Sequence, residues 1–324
     1  MPTPKKRLPV ALLILLDVLA TGTALCIFSL FHHVLPQVLK AEGIQIVAQE
    51  SGSASAETVR QDVITDLRVK FAEHFSDTVI TTENSYTSPD VSITVTKDVS
   101  GSGSDTITYY VADIYLADVT LLKTGFAQNA YGKGLRDSLT DMDVFYDALL
   151  SVGGDYYGNH DDGVVIRNGE VYRSKVTGED ICVLYSDGTM KTFSPQNFDI
   201  DEAVAKGAWQ AWTFGPMLLD GSGGTMISFN TSAYLKKSHP RTAIGYYEPG
   251  HYCFVVIDGR DTGYSKGMTL DQMSQLFASL GCRAAYNLDG GKSAVMVYNN
   301  SIVNQPDGGG RDLSDCVYIA ESIS

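Results

Sequence analysis

The chain has 324 residues, 44% hydrophobic and 19% charged, with a formal net charge of −14. That composition suits a globular protein of one large domain or two small ones. Beyond residue 40 there are 20 basic and 37 acidic residues, which argues against nucleic acid or an anionic membrane surface as a partner of that part.

Lys5-Lys6-Arg7 precede an apolar run from Leu8 to Phe31. A transmembrane helix needs about 20 such residues, and basic residues ahead of it favour a cytoplasmic N-terminus. A cleaved signal peptide has a shorter apolar core ending in a small-residue site, and His32-His33-Val34-Leu35-Pro36 offers none. The sequence therefore predicts an uncleaved anchor and basic tip over residues 1–34, single-pass in the cell membrane, with the rest outside the cytoplasm. Asp17 inside the run reads equally as a helix–helix contact or as a tolerated acid.

Residues 35–84 read as linker and stalk. Positions 41–58 are rich in Ser, Ala, Gly and Glu. Val59, Val63, Leu67, Phe71 and Phe75 then recur every four residues, a helical stripe. It packs on the main domain or makes a dimer contact. Residues 85–324 form that domain. Val91 to Val95 alternates as a strand, and Thr106 to Val119 continues a sheet. Thr140-x-x-Asp143 opens a predicted helix running to Leu150. Gly153-Gly154-Asp155-Tyr156-Tyr157 comes next, a glycine turn carrying an acid between aromatics. Such a turn suits a sugar, which stacks on a ring while polar groups read its hydroxyls. A loop with an Asp cap is the plainer reading.

Asn168-Gly169 and Asp187-Gly188 each join two apolar runs and predict hairpins with type I′ turns. A short helix near Asp201 to Lys206 leads to the aromatic segment Trp209 to Pro216. Arg241 stands at the mouth of a strand, where its planar fork suits phosphate or a carboxylate. Tyr252 to Ile257 reads as a strand buried on both faces and ends in Asp258-Gly259-Arg260. Thr269 to Gln272 is a capping box, and Gly281 stops the helix it opens. Asn287-Leu288-Asp289-Gly290-Gly291-Lys292-Ser293 then sets an acid, two glycines, a lysine and a hydroxyl in one turn. Successive N–H groups there can form an anion-binding nest. An Asn299-Asn300 hairpin, a Gly-rich loop with Arg311 and a strand near Val317 to Ala320 complete the chain. Hairpin signals outnumber helical ones, so the expected fold is α+β: twisted, mostly antiparallel sheets with a few packed helices. Cys26 lies in the anchor. Cys182, Cys253, Cys282 and Cys316 show no zinc spacing, and stand either as one or two disulfides or as buried thiols.

Taken in order, Gly153-Gly154-Asp155-Tyr156-Tyr157, Phe214-Gly215-Pro216, Pro240-Arg241-Thr242-Ala243-Ile244-Gly245, Val256-Ile257-Asp258-Gly259-Arg260 and Asn287-Leu288-Asp289-Gly290-Gly291 resemble the phosphodiester glycosidase family. Gly153 and Lys292 depart from the residues usual there. The resemblance implies hydrolysis of a sugar-1-phosphodiester of the GlcNAc-1-phosphate type in cell-surface or extracellular glycans. It implies Asp289 as the leading acid at the anomeric carbon, Asp155 as the second and Arg241 on the phosphate. Gly290, Gly291, Lys292, Ser293 and Asn287 would assist at the substrate, with Tyr156 stacking on the sugar and Asp258 and Arg311 in lesser roles. A phosphate monoester leaves readily, so little general-acid help is needed, unlike an ordinary glycoside. No cofactor or transition metal is expected. Asp258 could equally be a structural carboxylate or a calcium ligand. The alternative function is a membrane-anchored module for exopolysaccharide or cell-wall assembly that binds glycan without cleaving it.

Overall fold

The computed structural model describes residues 9–30, 35–42, 44–45 and 66–321. All strand pairings among them are antiparallel. Sheets of seven, six and five strands carry the fold, beside a two-stranded pair. Short helices at Leu139–Phe145, Ile200–Ala205 and Leu270–Leu280 accompany them. The expectation of mostly antiparallel sheets with few helices is met.

The seven-stranded sheet runs in the order Ala284–Leu288, Arg241–Glu248, His251–Ile257, Ile107–Leu116, Val91–Ser100, Ser85–Thr87, Ile80–Thr81. His251–Ile257 lacks alternation because both its faces are covered. Cys253, Val255 and Ile257 join Leu270, Met273 and Phe277 of the Leu270–Leu280 helix. Tyr252, Phe254 and Val256 join Leu150, Val152, Val317 and Ile319 of the five-stranded sheet. Burying each such side chain contributes about 1.5–3 kcal/mol, so this strand sits where the core is thickest. The covering helix begins with the Thr269–Gln272 capping box and ends at Gly281, whose φ of 86° continues no helix.

Three local expectations change. The first helix is capped by Ser138, not Thr140, and stops at Phe145. Asp147 then turns left-handed at φ 50°, and Ala148–Gly153 becomes the strand between Met296–Tyr298 and Asp315–Ala320. Asn168 and Gly169 do have positive φ, 52° and 79°, as a type I′ turn requires, but at Asp187-Gly188 only the glycine does. That loop is longer, closing with Tyr185 N–H on Thr189 O. No described cysteine is disulfide-bonded; Cys182, Cys253, Cys282 and Cys316 are buried thiols, with the Sγ atoms of Cys253 and Cys282 3.8 Å apart.

Val10–Ser29 is one helix with a single acid, Asp17, and no Lys or Arg. The side chains of Val10, Ala11 and Leu13 lie outside the described part, and among the described residues no helix is long and apolar enough to cross a membrane. Of the stalk stripe, Val59 and Val63 also fall outside the described residues. Leu67 and Phe71 are buried, with the Phe71 ring 5.1 Å edge-on to Tyr115 of the large sheet. That part of the stripe packs on the main body.

Candidate active site

Register brings the motifs together. Arg241 pairs with Ile257, and Thr242 with Leu288. The start of the Arg241–Glu248 strand therefore meets the ends of its two antiparallel neighbours. Pro240, just ahead of the first strand, shares one sheet end with Asp258-Gly259-Arg260 and Asp289-Gly290-Gly291, just past the other two. The Asp289 turn lies directly on Pro240: Gly291 N–H donates to Pro240 O at 2.9 Å, and a Cβ on Gly290 would sit 2.5 Å from that oxygen. Only glycine permits this approach. The Gly153-Gly154 turn joins from the five-stranded sheet, with Asp289 N–H donating to Gly154 O at 3.0 Å.

A cavity of about 310 Å³ opens there, walled by Phe214, Tyr234, Leu235, His239, Arg241, Arg260, Asn287, Asp289, Lys292 and Arg311, with the turn backbone. Asp289 is 9% exposed. Its Oδ2 accepts from Ser293 Oγ at 2.6 Å and Arg311 Nη2 at 2.6 Å, and Ser293 Oγ accepts from Arg311 Nε at 2.7 Å. Burial raises its pKa above the ordinary carboxylate value, against the lowering by Ser293 and Arg311. The acid is thus oriented, desolvated and still partnered, as a base or nucleophile requires.

Four cations share the cavity with this one carboxylate. Arg241 is 3% exposed and has no carboxylate partner among the described residues. Its Nε donates to Met268 O at 3.1 Å, and its Nη2 to Leu235 O and Lys237 O, both at 2.6 Å. Burial, then the nearby Arg260, lowers its pKa to about 10, so it stays charged at neutral pH. Arg260 pairs with Asp307 at 2.9 Å. His239 donates through Nε2 to Tyr234 O at 3.0 Å and faces Arg260 Nη2 with Nδ1 at 3.4 Å. Burial lowers its pKa, helped by Arg241 and Arg260, and its partners suit Nε2 as donor and Nδ1 as acceptor. Lys292 is exposed and forms no ion pair among the described residues. Asn287 donates through Nδ2 to Gly215 O at 2.8 Å, while its buried Oδ1 has no partner among the described residues. A positive cavity, in a chain of net charge −14, is complementary to an anion.

Residues 146–320 match the family model described as phosphodiester glycosidase. The chain belongs to that family. It is 34% identical over 163 residues to the SPbeta prophage-derived uncharacterized protein YomE of Bacillus subtilis strain 168, covering 49% of this chain and 25% of that one. The chain thus spans about a quarter of that relative's length. The fold is similar to the catalytic domain of zebrafish N-acetylglucosamine-1-phosphodiester α-N-acetylglucosaminidase, auto-inhibited by its pro-peptide, with a TM-score of 0.58 and 19% identity over 88% of this chain and 97% of that one. A hypothetical protein from Synechocystis has a TM-score of 0.55 and 11% identity over 71% of this chain and 62% of the other.

Within this phosphodiester glycosidase domain several expected residues have other work. Asp155 lies outside the cavity, 1% exposed. Its Oδ1 accepts from Arg167 Nη2 at 2.8 Å and Tyr157 N–H at 3.2 Å, and its Oδ2 from Thr213 N–H at 3.0 Å. Arg167 also reaches Asp315 at 3.1 Å. Asp155 is thus a member of a buried acid–arginine–acid triad, not a second acid at the substrate. Asp258 is likewise buried and outside the cavity, accepting from Tyr264 Oη, Asn304 Nδ2 and Gln305 N–H. Donors on both oxygens make it an anchor for the loop that presents Arg260. The Gly291 N–H is spent on Pro240 O, so the expected nest is closed at that position. Tyr156 is left-handed at φ 67°, with Arg311 5.2 Å and Arg136 5.6 Å over its ring. It positions the guanidinium that holds Asp289 rather than offering a free sugar platform.

The reading of residues alone assigned no role to Arg260, His239, Phe214 or Arg167. Arg167 carried a signal: an arginine inside the apolar hairpin Val164-Val165-Ile166-Arg167 needs buried acids. Phe214 and Arg260 stood in motifs that carry the family resemblance without a role of their own, and His239 gave no signal, because the turns that assemble them are distant in sequence.

Proposed function

We propose that the chain hydrolyses the glycosidic bond of a sugar-1-phosphodiester. The observation that carries this is the single buried carboxylate, Asp289, set among the guanidiniums of Arg241, Arg260 and Arg311 and the ammonium of Lys292. The phosphate lies against Arg241, Arg260 and Lys292, which oppose its charge in a partly desolvated site. The sugar lies with C1 towards Asp289. Asp289 acts as base for the attacking water or as nucleophile at C1. The C1–O bond breaks with its electrons passing to the phosphate, which leaves as a monoester and needs no protein acid. Arg311 and Ser293 hold the acting carboxylate in position.

The test incubates the purified chain with a panel of sugar-1-phosphodiesters and follows free reducing sugar. Release is expected from the wild type and a loss of at least a thousandfold in Asp289→Asn, with folding checked by circular dichroism. Undiminished turnover by the folded variant would sink the assignment.

We also propose that Val10–Ser29 anchors the chain in the cell membrane with the catalytic domain outside the cytoplasm. Leu12, Ile14, Leu15, Leu16, Val18, Leu19, Leu25, Ile27 and Phe28 are exposed around this helix, and an apolar surface on every side suits lipid. Extraction of the intact chain into the soluble fraction by high salt alone would refute it.

A further inference from the structure

The cationic cavity does not end at Phe214 and Leu235. The same two side chains wall a second cavity of about 460 Å³. Its chemistry is different. It is lined by the carboxylates of Asp162 and Glu179, the hydroxyl of Thr177 and the ring of His160, with no Lys or Arg among its lining. The two carboxylates, Asp162 paired with Lys175 at 3.5 Å beyond the lining, offer phosphate no free cation. They accept hydrogen bonds from hydroxyl groups, and with an aromatic wall they make the mixed lining that a sugar ring fits.

Contacts also connect it to the acid. His160 lies edge-on to Tyr156 with ring centres 5.9 Å apart. Tyr156 lies under Arg311 at 5.2 Å, and Arg311 holds Asp289 at 2.6 Å. That chain of contacts ties the second cavity to the Asp289 side. Arg260 and Lys292 instead neighbour Asp307 and Gly308.

We propose that the second cavity is a further sugar subsite. It takes a neutral, hydroxyl-rich unit linked to the sugar whose C1 carries the phosphate, so that an oligosaccharide phosphodiester is preferred over a monosaccharide one. This rests on the reading of the first cavity as the sugar-1-phosphodiester site. Each added subsite raises affinity only for ligands long enough to fill it, and the neighbouring cavity keeps its own contacts.

Gly178 lines this cavity, and a Cβ built on it meets nothing within 4 Å. Gly178→Trp therefore fills the space without backbone strain, and the double variant Asp162→Ala/Glu179→Ala removes its carboxylates from exposed positions. The full chain is titrated calorimetrically with N-acetylglucosamine 1-phosphate and with a disaccharide 1-phosphate bearing one further hexose on that sugar. Turnover of the matching phosphodiesters is measured alongside. The disaccharide is expected to bind at least tenfold tighter to the wild type, and both variants are expected to erase that advantage. Binding and turnover of the monosaccharide forms with no gain from the second sugar would overturn this proposal alone. A gain that survives both variants would do the same. So would a gain, erased by Gly178→Trp, from lengthening the alcohol beyond the phosphate, since the cavity would then serve the other side of the scissile bond. Absence of both binding and turnover for every donor would overturn the reading of the first cavity as well.

Discussion

Replacing Arg167 by methionine tests whether the Asp155 motif is scaffold or chemistry. Arg167 is 1% exposed and faces two carboxylates that are each 1% exposed. Its Nη2 reaches Asp155 at 2.8 Å and Asp315 at 3.1 Å, while Nη1 donates to Ile166 O and Ala211 O. Removing one partner from a buried ion pair costs about 3–5 kcal/mol because it strands the other charge. Here two charges are stranded, so we expect the upper half of that range. With a urea m-value of about 3 kcal/mol/M, the unfolding midpoint would fall by about 1.3–1.7 M. The pH dependence is diagnostic. Burial, and next the neighbouring Asp155, already raises the Asp315 pKa. Without the guanidinium Asp315 holds its proton to higher pH still. A native state that binds more protons than the unfolded chain loses stability as pH rises. The deficit of Arg167→Met should therefore be smaller at pH 5 than at pH 8. Urea titrations at both values, followed by tryptophan fluorescence, measure it. A midpoint within about 0.3 M of wild type at pH 8, or an equal deficit at both pH values, would refute the argument.

Three further outcomes are expected. Lys292→Ala removes an exposed cation without an ion pair among the described residues, so stability should change by less than about 0.5 kcal/mol. KM for a phosphodiester should rise about tenfold, an effect of about 1.4 kcal/mol that fades at high salt; an unchanged KM at low salt would contradict the phosphate role. In Arg311→Ala, Asp289 loses one of the groups that oppose the raising effect of its burial, so its pKa rises further and the acid limb of the kcat/KM profile moves to higher pH. A limb that stays put or moves down would exclude Asp289 as the titrating base. Asp143 is buried, with Oδ1 on Ser151 at 2.5 Å and Oδ2 without a partner among the described residues; burial pushes its pKa up to about 6. Its folded pKa exceeds its unfolded one, so stability is full below about pH 4 and falls by up to about 3 kcal/mol as pH rises through 6. The wild-type minus Asp143→Asn difference in urea midpoint between pH 4 and 7.5 should carry that fall, and a flat difference would reject it.

Much of the fold is written locally. Asn168-Gly169 sets its hairpin because both residues accept positive φ, and Thr269 to Gly281 marks both ends of its helix because caps satisfy the orphan backbone groups. The buried character of Tyr252 to Ile257 comes from an apolar run that leaves no face for water. The Asp289 motif was equally legible as a place where acid, glycine and cation coincide. The roles within the site were not. Asp155 and Asp289 look alike in sequence, each beside glycine, yet one is neutralised by Arg167 from a hairpin and the other by Arg311 from a distant loop. Gly290 and Gly291 read as a phosphate nest, yet the Gly291 N–H is taken by the carbonyl of Pro240. Which acid faces substrate depends on which strand ends the antiparallel register sets side by side. That register is fixed by core packing over many strands, where long-range contacts, not local pattern, decide the partner.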